Sequence, residues 1–493
     1  MKINAVDRKL IIVFSILAAI RVFIYSSAFP FFSNVDEQSH FDLVIKYGLE
    51  HHVPLSLEKV SPKSVEYIVN YGSPEYLCKP ADVMGKQFST PIWKMPEENA
   101  QRYIDERVAV WSSKTNHESL QPPVYYMIAG TWTELGSLFG IKGGFLLYWI
   151  RYLNVLLVVA LVWIAYFAAL RIFPENRFIV LGVPLLAAIL PQDTYYSIQS
   201  DVLSPICFGL AFIGMIGFIR DTPSSRQGII AGLSVAATVL TKISNMPLLI
   251  VVLVLVMFKL RILSRTHKLV SAARPIGLFV FCALMPVFIW FAWNLSMYGD
   301  VTASDSKIQL LGWTPKPFFD WFSHPIFTPH GAWIFWSTLM SSFWRGEFVW
   351  ELTLMTIPAF DVFYWLSSLV LVVLAMINIR RSGNDFQRRM NWLAFWSFAS
   401  LVIFMVVLSV SFDFGRCFYP SQKYPYFTSG RLLSAALVPF LLLYVQGLNF
   451  VFSWIKNECL RFGVLIAIAL LITLSEFIVS WPVFSSQYNF FHM

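Results

Sequence analysis

Long apolar stretches interrupt this chain at about 10–32, 144–170, 178–191, 202–219, 228–241, 247–260, 275–297, 361–379, 393–411, 432–453 and 463–481. That recurrence limits the fold more than any other feature. Roughly 20 consecutive apolar residues match the hydrocarbon core of a bilayer, where a helix satisfies its own backbone. The pattern predicts an all-α polytopic membrane protein with about eleven transmembrane helices. A β-barrel would need alternating segments of roughly ten residues, which the sequence lacks. Only 13% of the 493 residues are charged, too few to coat a soluble protein of this length. The stretches 178–191, 228–241 and 247–260 are short, and tilted, broken or incompletely crossing helices are expected there.

Lys and Arg set the orientation. With a cytoplasmic N-terminus, the inside loops hold Arg171 and Arg177; Arg220 and Arg226; Lys259, Arg261, Arg265, Lys268 and Arg274; Arg380, Arg381, Arg388 and Arg389; Lys456 and Arg461. All are short and basic, as the positive-inside rule requires. The formal charge of +8 therefore reports topology and does not indicate nucleic acid. This puts three loops on the extracytoplasmic side, 33–143, 298–360 and 412–430, and the expected location is the cytoplasmic (inner) membrane. The first loop carries roughly half of the acidic residues and reads as folded and solvated. Within it, Pro96 to Trp111 reads as an amphipathic helix, and Val124 to Phe139 as an aromatic-rich interfacial helix. The aromatic, Pro-rich loop 298–360 is expected to pack on the membrane surface. Cys78 and Cys417 fall in outer loops; a disulfide or two free thiols both fit.

Candidate chemistry clusters at the outer ends of the apolar runs. Asp36, Glu37, His40 and Asp42 follow the first run directly. Charges at that depth are read as functional by default. Asp36 or Glu37 can act as general base towards a hydroxyl, or ligate a divalent cation such as Mg or Mn. The bland alternative is a solvated helix end. If residues 36–48 are helical, Asp36 and His40 share a face. Glu118 to Tyr126 contains a rigid Pro122-Pro123 turn, and Tyr125 and Tyr126 either anchor an interface or touch substrate. His117 and Glu118 can face the same cavity. Asp201 opens a run on the same side, as a helix cap or as a further acid. Asp193 lies in the same short loop. Lys242 interrupts two runs where the topology disfavours Lys, so it either holds a phosphate or snorkels. Arg431, after Gly430, starts a late run and suits bidentate phosphate binding. Arg345 is a weaker candidate of the same kind. P-loop, zinc, nucleophile-elbow and dinucleotide signatures are absent, so a lipid-linked donor is the simplest source of an activated group.

These elements, in order, resemble the GT-C superfamily of membrane glycosyltransferases. They are Asp36-Glu37 with His40-Phe41, Pro122-Pro123-Val124-Tyr125-Tyr126, Leu240-Thr241-Lys242, Asn294 with Tyr298-Gly299-Asp300, and Gly430-Arg431-Leu432-Leu433. More narrowly the chain is similar to bacterial predicted membrane proteins whose first outer loop reads Asp-Glu-x-x-His-Phe. Where several relatives have proline before this pair, this chain has Val35, and it has Asp36-Glu37 where metal-binding relatives carry Asp-x-Asp. The resemblance implies inverting transfer of a hexosyl or pentosyl unit from a polyprenyl-phosphate sugar to a cell-envelope glycan, lipid or protein acceptor on the outer face. It makes Asp36 the general base, with Lys242 and Arg431 neutralising the leaving phosphate. Two other readings are a lipid-linked glycan transporter and an O-antigen polymerase or ligase. Transporters favour internal repeats and midplane charges, which this sequence lacks. Polymerases usually place their main loop late in the chain. Convergence of Asp36, Lys242 and Arg431 on one cavity separates the enzyme reading from a scaffold with solvated helix ends.

Overall fold

A computed structural model of the chain describes residues 4–83, 85–220, 224–267, 269–381, 384–415, 417 and 419–492. Lys268 lies outside the described residues, as do the side chains of Arg380 and Arg381. Every expected apolar run falls on a helix. α1 (Ala5–Ala28) leads into the first loop, which holds α2 (Glu37–Gly48), α3 (Pro62–Tyr71), α4 (Glu97–Trp111) and α5 (Val124–Leu138). Then come α6 (Gly144–Ile172), α7 (Arg177–Ala188), α8 (Ser204–Arg220), α9 (Ser225–Thr241), α10 (Pro247–Arg265) and α11 (Leu269–Tyr298). The second loop holds α12 (Asp305–Leu310) and α13 (Pro329–Arg345). α14 (Pro358–Arg381), α15 (Asp385–Ser411), α16 (Leu437–Val451) and α17 (Glu458–Phe484) complete the bundle.

Nine helical segments among the described residues are long and apolar enough to cross a membrane, and the chain is an integral membrane protein. This refines the expected eleven. α7 has 12 residues and α9 has 17, so both are shorter than a full crossing. The third short run proves longer than expected, because a 3-10 turn extends α10 to a 23-residue segment, Ile243–Arg265. The helices alternate between two ends of the bundle. Asp7 at the start of α1 meets Arg177 at the start of α7 (3.2 Å), at the basic end. The C-terminal tail lies at the other end, where Lys94 donates to His492 O (2.7 Å) and Tyr488 to Ser89 O (2.6 Å) in the first loop.

Side chains fix the helix starts. Asn4, Asn384 and Asn457 accept first-turn amides of α1, α15 and α17, and Ser224 with Gln227 forms a capping box on α9. α6 packs on α1, α7 and α8, while α16 packs on α7, α14 and α15. In the segment containing α16, 78% of the most apolar window is buried, against 22% in α11. α16 is therefore core, and α11 turns most of its surface outward.

Three interruptions of regular helix matter for function. α7, which contains Pro184, gives way to residues 189–203, which run in 3-10 turns and extended pieces and are buried. A second break at Lys242 separates α9 from α10. The third is the 3-10 turn Gly430–Ala436 ahead of α16. Irregular backbone is tolerated at such depth only when protein groups satisfy it. Here Asn154 donates to Tyr195 O (3.1 Å) and Ser197 O (2.8 Å), and Gln192 to Ser342 O (3.1 Å) and Phe343 O (2.8 Å). At Gly430 a Cβ would fall 2.0 Å from Phe343 N, so only glycine allows this backbone approach. The breaks at 200–202 and 243–245 both pack on the turn 430–436.

Candidate functional site

Asp36 stands where α1 has ended and α2 begins. Its backbone is left-handed (φ 63°), which a short polar residue tolerates better than a branched one. The carboxylate is 20% exposed and held from two sides. Arg431 donates through Nη2 to Oδ2 (2.5 Å), and His117 Nε2 lies 3.1 Å from Oδ1. Arg431 also donates to Gln199 Oε1 (3.2 Å), and its Nε lies 3.8 Å from Glu347 Oε2. Ser429 donates to the same Glu347 oxygen (2.6 Å). His117 is 3.4 Å from Glu118 Oε1, which accepts from Lys307 of α12 (2.6 Å). Lys242 donates to both oxygens of Asp201 (2.8 and 2.6 Å), and both residues are buried. His40 shares a 2.6 Å hydrogen bond with the Tyr126 hydroxyl.

Burial pushes the Asp36 carboxyl up, but Arg431, His117 and Lys307 together outweigh it and hold the group well below the usual carboxylate range. Glu118 is balanced in the same way and lies at about 2: burial raises it, and Lys307 and His117 bring it down. For His117, burial lowers the pKa, while the hydrogen bond to Asp36 and the charge of Glu118 raise it above the ordinary imidazole value. His40 goes the other way, because burial carries it down to about 4 and keeps it neutral. Burial also raises Glu347, against the pull of Arg431. Asp193 is pushed up to about 7 by burial and then by Glu347. The site thus holds two carboxylates whose pKa is held down beside two, Glu347 and Asp193, whose pKa burial raises.

Asp36, His40, Tyr126, Asp201, Lys242 and Arg431, chosen from sequence, come together here. Asp36 lies within electrostatic range of Arg431, His117 and Lys307, and His40 within range of Glu118, Lys242, Asp36 and Asp201. Tyr125 is buried beside Tyr126 and packs towards Glu37. Three residues need correction. Glu37 is fully buried and forms a bidentate pair with Arg151 (2.9 Å on both oxygens), and it also accepts from Ile198 N. It has no free face for a hydroxyl or a metal, so it leaves the expected catalytic and metal pair. Asp42 accepts from Ser61 N and Asn116 and pairs with Lys46 (3.1 Å), tying α2 to the loop behind it. Arg345 is taken by Asp361 (2.7 and 3.0 Å) and does not reach Asp36. Cys78 and Cys417 are free thiols.

The sequence reading missed Glu347, Lys307 and Arg151. Glu347 lies two residues beyond the Arg345 that drew attention, and Gly346 between them (φ 85°) brings the backbone against Asp193, whose Oδ2 accepts from Glu347 N (2.9 Å). Lys307 comes from the second loop and carries no local signal. A different metal set also emerges. Asp36, His117 and Glu118 each offer an atom, all within 4.8 Å of one another. Two oxygens and an imidazole suit a divalent cation, although Arg431 and Lys307 already supply positive charge there.

The family described as "Predicted membrane protein (DUF2142)" matches residues 18–415. No curated protein matches the sequence. Among solved structures, the chain is similar to the crystal structure of the Archaeoglobus fulgidus oligosaccharyltransferase in complex with Zn and sulfate. The identity is 12% and the TM-score 0.40, over 76% of this chain and 45% of that one. The chain thus spans less than half the length of this archaeal protein.

Proposed function

This chain belongs to the DUF2142 family of predicted membrane proteins, and from that premise we propose that it is a membrane glycosyltransferase acting on a polyprenyl-phosphate sugar. The observation that carries this reading is the Asp36–Arg431 contact. Residues 395 apart in sequence meet there, with paired Lys242 and Asp201 in electrostatic range of Arg431. The ordered motifs shared with GT-C glycosyltransferases support the same class. The basic opposite end supports an extracytoplasmic site.

In the proposed reaction an acceptor hydroxyl attacks the anomeric carbon. Its proton passes to Asp36 as the oxygen–carbon bond forms. The bond from the anomeric carbon to the phosphate oxygen breaks, and polyprenyl phosphate leaves with the electron pair, inverting the centre. Arg431 and Lys242 stabilise the charge that develops on the phosphate. In the resting site Arg431 is clamped by Asp36, which weakens that carboxylate as a base. The donor phosphate competes for Arg431, releases Asp36 and restores its basicity. Substrate binding and base activation are thereby coupled. Asp36, His117 and Glu118 would hold a divalent cation, which when bound would acidify the acceptor hydroxyl.

The test is transfer in proteoliposomes supplied with a panel of polyprenyl-phosphate sugars and envelope acceptors. Asp36→Asn is expected to lower transfer by about 10³-fold, within the range for loss of a general base. Unimpaired transfer by this variant would remove Asp36 as the base. Failure of the wild type to transfer from any donor would remove the glycosyltransferase reading.

A further inference from the structure

At the basic end of the bundle, far along the helices from Asp36, lies a polar cavity of about 390 Å³. That volume is within the range of small-molecule sites. α6 and α8 end at it with Arg171 and Arg220. α14 contributes Asn378, α15 Gln387, and α16 Gln446 and Asn449. These side chains are not absorbed by ion pairs with carboxylates among the described residues. Arg171 donates through Nη1 to Ile213 O (3.1 Å), Gln387 donates to Ile172 O (3.2 Å), and the Arg220 guanidinium lies 5.7 Å from the Phe386 ring centre. Among the described lining residues Glu175 is the one carboxylate, against Arg171 and Arg220, so these residues together carry a net positive charge.

An independent observation points to a ligand. Gln446 is 5% exposed, and its side-chain carbonyl oxygen has no hydrogen-bond partner. A buried acceptor left unpaired is destabilising, and groups of this kind are normally satisfied by protein, water or ligand. The cavity therefore asks for two things at once: an anion for the guanidiniums and amides, and a hydroxyl donor for Gln446.

We propose that this cavity binds a phosphate ester that carries a free hydroxyl. Two sources share that chemistry. One is the headgroup of an anionic glycerophospholipid in the leaflet that surrounds the basic end; the other is a soluble polyol phosphate. Arg171 and Arg220 grip the phosphate, and Gln446 accepts from the hydroxyl. The site is separate from the one around Asp36 and stands whether or not sugar transfer does.

The full chain, purified in detergent, is titrated with phosphatidylglycerol, phosphatidic acid, phosphatidylcholine and glycerol 3-phosphate, and bound ligand is counted by native mass spectrometry. Phosphatidylglycerol is expected to bind roughly tenfold tighter than phosphatidylcholine, as one or two charge-assisted contacts allow. Arg171→Gln with Arg220→Gln should abolish that preference, and the paired Lys substitutions should keep part of it, which separates lost recognition from misfolding. Gln446→Leu should narrow the preference for phosphatidylglycerol over phosphatidic acid, which lacks the hydroxyl. Binding of glycerol 3-phosphate at equal affinity assigns the soluble source; binding of the lipid alone assigns the headgroup. Equal retention of phosphatidylglycerol and phosphatidylcholine with no glycerol 3-phosphate bound overturns the proposal. So does a preference that survives Arg171→Gln with Arg220→Gln.

Discussion

The charge cluster around Asp36 and the arginine cluster at the opposite end of the bundle handle charge in different ways. At the end bearing Asp36, cations are matched to carboxylates: Arg431 to Asp36, Lys242 to Asp201, Lys307 to Glu118 and Arg151 to Glu37. At the other end Arg177 pairs with Asp7 and Arg388 with Asp385 near the surface, but Arg171 and Arg220 rest on a carbonyl and near an aromatic ring. Water and headgroups can solvate the second arrangement, so it needs no partner carboxylates. The first is partly desolvated and must neutralise itself. Not every pair there has the same role. Arg151–Glu37 is buried, and Arg151 also donates to the carbonyls of Ser26, Phe29 and Pro30 at and just beyond the end of α1. Arg431–Asp36 is partly exposed and shares its cation with Gln199 and Glu347. A sealed pair fixes the fold; an open pair can be parted by a substrate.

Double substitutions test that distinction most strongly. Arg151→Met alone strands Glu37 and is expected to cost about 3–5 kcal/mol in stability, whereas Arg151→Met with Glu37→Leu should recover most of it. Lys242→Met should destabilise comparably by stranding Asp201, and Lys242→Met with Asp201→Asn should recover stability. Transfer is the discriminating readout. It should return with the Arg151 and Glu37 double variant and remain about 10²-fold low with the Lys242 and Asp201 double variant. Recovery of transfer in both would reduce Lys242 to a structural lysine.

A smaller effect comes from His40. Its folded value of about 4 lies below its ordinary 6.5, so the unfolded chain takes up the proton first as pH falls. The stability that depends on neutral His40 is intact above about pH 6.5 and is lost progressively towards about pH 4, roughly 3 kcal/mol in all. Melting curves across that window should fall more steeply for the wild type than for His40→Gln. Parallel curves would mean that His40 is solvated. At the bottom of the scale, Arg388→Gln removes an exposed i,i+3 pair with Asp385 and should shift stability by less than about 0.5 kcal/mol.

These contrasts also separate what was legible in the sequence from what was not. The helical membrane bundle could be read because twenty apolar residues have few other solutions, and the ends of α4 and α5 follow from their turn residues. Asp36, Lys242 and Arg431 could be read because each is a charge at an apolar boundary. Glu37 misled because adjacent residues look alike in sequence, yet the turn at Asp36 and the first turn of α2 send neighbouring carboxylates to opposite fates. Its partner Arg151 sits inside an apolar run, 114 residues away. Lys307 and Glu347 come from a loop whose path depends on tertiary packing. The incomplete crossing of α7 is expected from its short apolar run, but the irregular 189–203 segment was hidden for the same reason: buried polar partners such as Asn154 and Gln192 stabilise it, and no local pattern encodes that pairing.

The decisive measurement is equilibrium binding of polyprenyl phosphate to the purified wild type and to Asp36→Asn, made alongside transfer by the same two proteins. If a donor phosphate must take Arg431 from Asp36, the variant loses transfer by about 10³-fold and yet binds polyprenyl phosphate about tenfold more tightly. Weaker or unchanged binding by Asp36→Asn, or transfer at the wild-type rate, would contradict the coupling of donor binding to release of the base.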